Sequence, residues 1–456
     1  MIDPTAWVGT DDLLADAALR AREYVEGVDR RQVAPTPDAI AALDLFDEPL
    51  PEDPTDPRAT LALLDGVGSP ATMATTGPRY FGFVIGGTMP IALASAWLGS
   101  AWDQNAALPV MSPVAGRLHE TTRRWLVELL QLPETTTASF VTGATMANAT
   151  ALAAARDQLL ARVGWDVQAN GLFGAPALTV VAGEKAHSTL IKALGLIGLG
   201  RDRVLRVPAD AQGRMRAELL PDIDGPIIVC AQAGEVNTGA FDPFPQIVSW
   251  ARERGAWLHV DGAFGLWALA DPTRRELVHG LTDADSWATD AHKWLNVTYD
   301  NGIVLLRDGE ALRHSLASVA GYLPPDHRFE AMHHTPQSSQ RARQIEVWAT
   351  LRSLGRVGVA ELVANSCHQA RRIRDALAGG GLEILNDVVL NQVLVAAGTD
   401  EATNQLVADV QADGTCWCGP TTWNGRVAMR ISVSGWNTRN EDADASAEAI
   451  LRCAQQ

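Results

Sequence analysis

The stretch SWATDAHKWLNV at 286–297 sets a lysine directly after a histidine, between a strand-like run and an apolar one. Lysine is rarely buried without a partner. In an apolar setting it either snorkels outward or has its charge suppressed for chemistry, by desolvation and nearby positive charge. The chemistry open to such an amine is attack on a carbonyl, so Lys293 is read as a Schiff-base lysine. Other reactive residue types follow other strand-like runs. After ASFV come Thr142-Gly143-Ala144-Thr145 and a helix-forming run. Free N–H groups and the helix dipole at such a turn cradle phosphate, although the turn is common and says little alone. After ALTVVA comes His187 in GEKAHS, a residue that gains meaning only in company. After AWLHV comes Asp261. An acid at the end of a buried strand is costly unless a cation or hydrogen bonds meet it. Gly262-Ala263 then allow a flat ring to approach, and Lys293 follows Asp261 by about thirty residues. In chain order these are a phosphate turn, a ring-stacking histidine, an acid for a ring nitrogen and an amine for an aldehyde. Pyridoxal phosphate needs that set.

The elements that must position these residues are legible in the texture of the chain. From about 138, short β-rich runs (ASFVTG, ALTVVA, PIIVCAQA, AWLHVD, DSWATD, GIVLLRD) alternate with helical stretches. Such alternation implies βα units and a mostly parallel sheet, with ligands beyond the carboxyl ends of its strands. Residues 12–27 read as an amphipathic helix, and 91–107 and 114–131 carry helical periodicity. DEPLPEDPTDPRAT at 47–60 reads as a surface connector. From about 345 a helix precedes LEILND, QVLVAAG and RVAMRISVS, the pattern of a small α+β domain. The division expected is an N-terminal helical segment (1–74), a large α/β domain (75–320), a mobile active-site loop (321–344) and a small C-terminal α+β domain (345–456).

Composition excludes several classes. The net charge of −17 argues against nucleic acid and anionic membrane surfaces as partners. No run of eighteen apolar residues is present, and MIDPTAWVGTDDLLADAAL lacks the basic and apolar regions of a secretory signal. The five cysteines are scattered, as in a reduced cytoplasmic protein; Cys416 and Cys418 form a close pair without the companion pair that a zinc site needs, so no metal is expected.

RYFGFVIGGTMP, MSPVAGRLHETTRRWLVELLQLP, VTGATMANATAL, EKAHSTLIKALGLIGLG, VNTGAFDP, WLHVDGAFG, TDAHKWLNVTYDNG and RISVSGWNTRNED together resemble the group II pyridoxal-phosphate-dependent amino-acid decarboxylases, relatives of aromatic-amino-acid and glutamate decarboxylase. The resemblance spans nearly the whole chain. It implies an aspartate-aminotransferase-like (type I) fold and decarboxylation of an L-amino acid, an aromatic one being the modal guess. It also implies a homodimer with active sites at the interface. By matching position, Ala144 and Thr145 would hold the phosphate, and His187 would stack on the ring. Asp261 would pair with the ring nitrogen, with Ala263 beside the ring. Lys293 would hold the aldehyde, with His292 on the phosphate. Asp290, where relatives often have Asn, would orient His292. Tyr322 would protonate the α-carbon from a loop. Residues around 78–83 and 104–111 would line the substrate pocket, with Tyr80, Phe81 and Phe83 making it apolar. Glu235 stands where relatives have threonine beside the substrate, which leaves the substrate class open. Gly262 replaces an alanine with little expected effect. A loop histidine pair such as His333-His334 is usually just solvated, though it could act as an alternative acid.

Other chemistries remain to be weighed. Glu235 favours an aldehyde synthase, aminotransferase or aldolase-like lyase, and Arg430 is available to clamp an α-carboxylate; Tyr322 favours decarboxylation. GLIGLG at 195–200 has G-x-x-G-x-G spacing and follows a helical run, so it is not a dinucleotide-binding loop. Lys293, Asp261 and His187 together argue against a catalytically dead binding protein.

Overall fold

The computed structural model describes residues 10–317 and 329–455. The large sheet contains β1 (Thr137–Val141), β2 (Thr179–Gly183), β3 (Leu205–Val207), β4 (Ile227–Gln232), β5 (Trp257–Asp261), β6 (Ser286–Asp290) and β7 (Gly302–Leu306), in the order β1-β7-β6-β5-β4-β2-β3. Every pair is parallel except those of β7, which runs antiparallel to β1 and β6. Only residues 291–301 separate β6 from β7, too few for the helical crossover a parallel neighbour requires. β1, β5, β6 and β7 are buried along their whole length, which is why they read as apolar runs rather than alternating ones. The alanine-rich helix Ala144–Arg162 lies on one face of the sheet, its small side chains allowing close approach. The opposite face carries a core around Trp267, Trp287 and Trp294.

The second sheet contains β8 (Glu383–Ile384), β9 (Gln392–Ala396), β10 (Gly419–Trp423) and β11 (Arg426–Ser432), antiparallel in the order β10-β11-β9-β8. Asn424-Gly425, both at positive φ, close the β10–β11 hairpin, as a two-residue turn with the twist of a strand pair requires. The helices Asp400–Asp413 and Asn440–Cys453 cover this sheet.

Three details refine the expected division. Within the connector, Asp56 accepts from the Arg58 N–H at 3.0 Å and starts a helix, Pro57–Ala71. The helix starting at Gln344 breaks at Gly355 (φ 61°, ψ −175°). Before the break it packs on the large domain, Trp348 stacking on Trp125 at 6.2 Å; beyond it, Ala370, Ile373 and Leu377 enter the small-domain core. Val359, Val363 and Cys367, beyond the break, still pack in the large-domain core, so this one helix is shared by both domains. The described part of 321–344 is packed: the Met332 N–H donates to Ala107 O (3.2 Å), the Ala106 N–H donates to Gln340 O (2.8 Å), and Met332 to Thr335 are buried.

Candidate active site

Register brings the reactive groups to one edge of the large sheet. Asp261 pairs with Ala288 across β5 and β6, and Asp290 with Gly302 across β6 and β7, so both acids sit at carboxyl ends. Gly302 and Gly143 meet backbone to backbone: a Cβ on Gly302 would lie 2.4 Å from Gly143 Cα. Only glycine permits that approach, and it brings the start of the helix Ala144–Arg162 against Asp290.

Lys293 Nζ lies 3.0 Å from Asp290 Oδ2, and the Ala144 N–H donates to Asp290 Oδ1 at 2.6 Å. The charge nearest the lysine is thus a carboxylate, where positive neighbours were expected. The same carboxylate occupies the first free N–H of the helix terminus, as an anion is drawn to do. His292 Nε2 stands 3.6 Å from Asp290 Oδ1, and its Nδ1 accepts from the Asn301 N–H at 3.0 Å, leaving Nε2 to carry the proton of the neutral ring. Burial lowers the His292 pKa, with Asp290 opposing.

Asp261 is almost fully enclosed and accepts from Asn148 Nδ2 (3.2 Å) and the Ala263 N–H (3.2 Å). Burial raises its pKa, and the positive sides of His187 and Lys293 pull it back. His187 caps the helix Ser188–Leu196: the Thr189 N–H donates to its Nδ1 at 3.3 Å. Burial lowers the His187 pKa, Asp261 opposes, and Lys293 and Arg430 add to the lowering. A neutral, flat imidazole results, with Nε2 as its donor.

The structure brings together Ala144, Thr145, His187, Asp261, Ala263, Asp290, His292 and Lys293. Tyr322 lies outside the described residues. Three placements correct the sequence reading. Phe81 is 1% exposed and belongs to the small-domain core; its N–H donates to Trp417 O and its carbonyl accepts from the Ser432 N–H, both at 2.9 Å, so among the described residues its side chain faces that core. The Glu235 carboxylate accepts from the Asn237 N–H (2.7 Å), Asn237 Nδ2 (3.0 Å) and the Thr238 N–H (2.8 Å). It builds its own turn rather than facing a substrate, and burial raises its pKa against those bonds. His333 and His334 are buried rather than solvated. His333 Nε2 pairs with Glu330 at 3.1 Å, and His334 stacks on Phe329, which stacks on His119. Burial holds the His334 pKa down, and among the described residues His333 and Arg313 add to the lowering while Glu310 opposes it. Gly262 also matters more than expected: a Cβ there would lie 2.8 Å from Leu266 Cβ.

Four residues of the site went unread. Tyr299 stacks on His292 at 4.2 Å while 56% of its surface stays exposed, and partial desolvation, then the charges of Asp290 and Tyr80, raise its pKa. Trp417 stacks on Tyr80 (5.3 Å) and Phe83 (5.6 Å). Asn296 ties three segments at the lysine: its Oδ1 accepts from the Gly87 and Trp436 N–H groups, and its Nδ2 donates to Ser434 O. Asn148 serves Asp261. The available signals were an Asn inside an otherwise alanine-rich helix and another in the WLNV run.

These residues fit pyridoxal phosphate. An enclosed acid with two neutral donors suits a protonated ring nitrogen, a neutral imidazole suits a ring face, and the helix terminus beside Lys293 suits a phosphate. The comparisons agree. Residues 47–395 match the family described as the pyridoxal-dependent decarboxylase conserved domain. The chain is 30% identical over 411 residues to L-2,4-diaminobutyrate decarboxylase of Rhizobium meliloti (strain 1021), covering 85% of this chain and 80% of that one. It is 23% identical over 443 residues to aromatic-L-amino-acid decarboxylase of Bacillus atrophaeus, covering 92% and 90%. In fold it matches the crystal structure of Oryza sativa TDC with PLP and tryptamine, at a TM-score of 0.89 and 22% identity over 100% of this chain and 99% of that one. The chain belongs to the pyridoxal-dependent decarboxylase family, carboxy-lyases that act on amino acids with pyridoxal 5′-phosphate as cofactor.

Proposed function

We propose that the protein converts an L-amino acid with an aromatic side chain to its amine and carbon dioxide, as a cytoplasmic homodimer. The observation that carries the aromatic reading is the stack Tyr80–Trp417–Phe83. Phe83 is 63% exposed although it sits on the loop that packs against the Lys293 turn. An open aromatic face beside a reactive site suits a flat apolar ligand. Asp261, Asp290 and Glu235 are each engaged within the chain, which does not favour a substrate with a second amine. With Glu235 turned into its own loop, the feature that favoured an aldehyde synthase, aminotransferase or aldolase-like lyase loses its weight.

The cofactor supplies an electron sink for the α-carbon. Lys293 Nζ offers the amine for its covalent attachment. Asp261 would hold the proton of the ring nitrogen, and His187 and Ala263 would flank the ring. Ala144, Thr145 and His292 would hold the phosphate, with Asp290 setting the position of His292. Tyr322 holds the proton destined for the α-carbon. The second copy covers the apolar groove of about 1090 Å³ between the helices Thr10–Gly27, Pro57–Ala71 and Pro90–Trp102, where Val25, Leu64 and Trp97 are left exposed.

The test is product identification with the cofactor-loaded protein. Tryptophan, tyrosine, phenylalanine, 2,4-diaminobutyrate, aspartate and glutamate are supplied, and carbon dioxide and organic product are followed by mass spectrometry. An aromatic amine with equimolar carbon dioxide is expected. Preferred turnover of 2,4-diaminobutyrate or an acidic amino acid overturns the aromatic reading, and an aldehyde product overturns the reaction type. Sedimentation of the same preparation as a monomer would overturn the dimer.

A further inference from the structure

Behind Asp261 lies a polar chain that the chemistry above does not use. Trp257 Nε1–H donates to Ser286 Oγ at 2.8 Å, and Ser286 Oγ lies 2.9 Å from His259 Nδ1. His259 Nε2 lies 2.8 Å from Asn148 Oδ1, and Asn148 Nδ2 donates to Asp261 Oδ2 at 3.2 Å. Ser286, His259 and Asn148 are fully buried, between β5, β6 and the helix Ala144–Arg162. The direction of the chain follows from its Asp261 end, with that carboxylate ionised opposite a ring-nitrogen cation. An indole N–H only donates and a carboxylate only accepts. Asn148 must turn its amide nitrogen to Asp261, so its oxygen faces His259 and requires a proton on Nε2. Burial holds the His259 pKa down at about 3, so the ring is neutral and its Nδ1 must accept, from the Ser286 hydroxyl. Every donor therefore points toward Asp261.

The placement has a second consequence. Asn148 stands one turn beyond Ala144, whose N–H is at the phosphate end of the site. One helix thus reaches both ends of the cofactor pocket, through Asn148 at Asp261 and through the Ala144 N–H that Asp290 engages.

We propose that His259 is a positioning residue: held as its Nε2–H tautomer by Trp257 and Ser286, it locks Asn148 as a donor to Asp261 and so keeps that carboxylate ionised and the cofactor's ring nitrogen protonated. This rests on the reading of Asp261 as the ring-nitrogen partner. The other groups facing Asp261 are His187 at the exit of β2, Lys293 at the exit of β6 and Cys230 on β4. None of them can replace the amide donor, because none is hydrogen-bonded to the carboxylate.

The test reads the ring nitrogen directly, by ¹⁵N NMR of holoenzyme loaded with ¹⁵N-labelled pyridoxal phosphate and titrated with pH. Asn148→Leu should move the loss of the ring proton to lower pH by about one to two units, the effect of removing one hydrogen bond to a charged group, and His259→Phe, which frees Asn148 to turn, should move it the same way by a smaller amount. His259→Gln, which keeps an N–H near the Nε2 position, should restore most of the shift. If His259→Phe does not fold, Ser286→Ala removes the hydroxyl that fixes the tautomer and should give a smaller shift in the same direction. An unchanged titration in the folded variants overturns the proposal. Asp261→Asn separates the two claims. A native ring signal there defeats the Asp261 reading itself, whereas a changed signal beside unaffected His259 and Asn148 variants defeats only the relay.

Discussion

Replacing Gly86 by alanine should disable the site without touching a reactive group. Gly86 is buried, with its φ outside the left-handed region, so alanine meets no backbone penalty there. The methyl, however, would lie 1.8 Å from the Lys293 carbonyl oxygen and 2.9 Å from its carbon. An ordinary carbon–oxygen contact is about 3.3 Å, so the carbonyl must retreat by about 1.5 Å. Both partners are backbone, and the side of the turn is pinned by Asn296, which accepts from the Gly87 N–H at 2.8 Å, so no rotamer change relieves the clash. Overpacking of this kind costs about 1–3 kcal/mol of stability. The larger effect is on chemistry, because moving a reacting group by about 1 Å costs roughly 100-fold in rate. The assay is the rate of cofactor attachment, read as borohydride-trapped adduct at Lys293, beside kcat and the thermal midpoint. A variant that attaches cofactor and turns over within a few-fold of native would refute the reasoning, since it would mean the 82–87 loop does not set the position of Lys293.

Asp290→Asn should tighten binding of pyridoxal phosphate to the apoprotein, because a carboxylate at the helix terminus competes with the phosphate dianion; equilibrium dialysis that shows weaker binding would count against it. His119 and His259 are buried and neutral, with pKa values lowered to about 3 by burial. A depressed histidine leaves stability intact above its unfolded pKa of about 6.5 and loses about 1.4 kcal/mol per pH unit below it, until the folded pKa is reached. Denaturant titrations should therefore show stability falling below about pH 6.5. His119→Phe, which keeps the stack on Phe329, should flatten that fall, and an unchanged slope would argue against it. Tyr322→Phe should shift the product from amine toward aldehyde or keto acid in the mass-spectrometric assay; an unaltered product ratio would require a different proton donor.

What the sequence determined by itself follows from one physical fact: in a parallel sheet, the residues after each strand meet at one edge. Lys293, Asp261, His187 and the Gly143-Ala144 turn could be found because each directly follows an apolar run, and their assembly needed no knowledge of distant contacts. The turn of β7 against its neighbours, the approach of Gly302 to Gly143 and the break at Gly355 were decided in three dimensions, because each depends on backbone packing between remote segments. Side-chain direction was decided there too. In the extended segment at 80–81, successive side chains point to opposite faces, so Tyr80 meets Trp417 while Phe81 enters the small-domain core. Glu235 reads as a substrate contact by position alone, but local N–H donors capture its carboxylate before any ligand can. The chain from Trp257 to Asp261 is the clearest case. His259 and Asp261 stand two apart on one strand, yet their link runs through Asn148 on a helix, while Ser286 on the neighbouring strand fixes the proton of the ring. Hydrogen-bond direction is a property of the assembled network, so it exists only after β5, β6 and the helix have packed together.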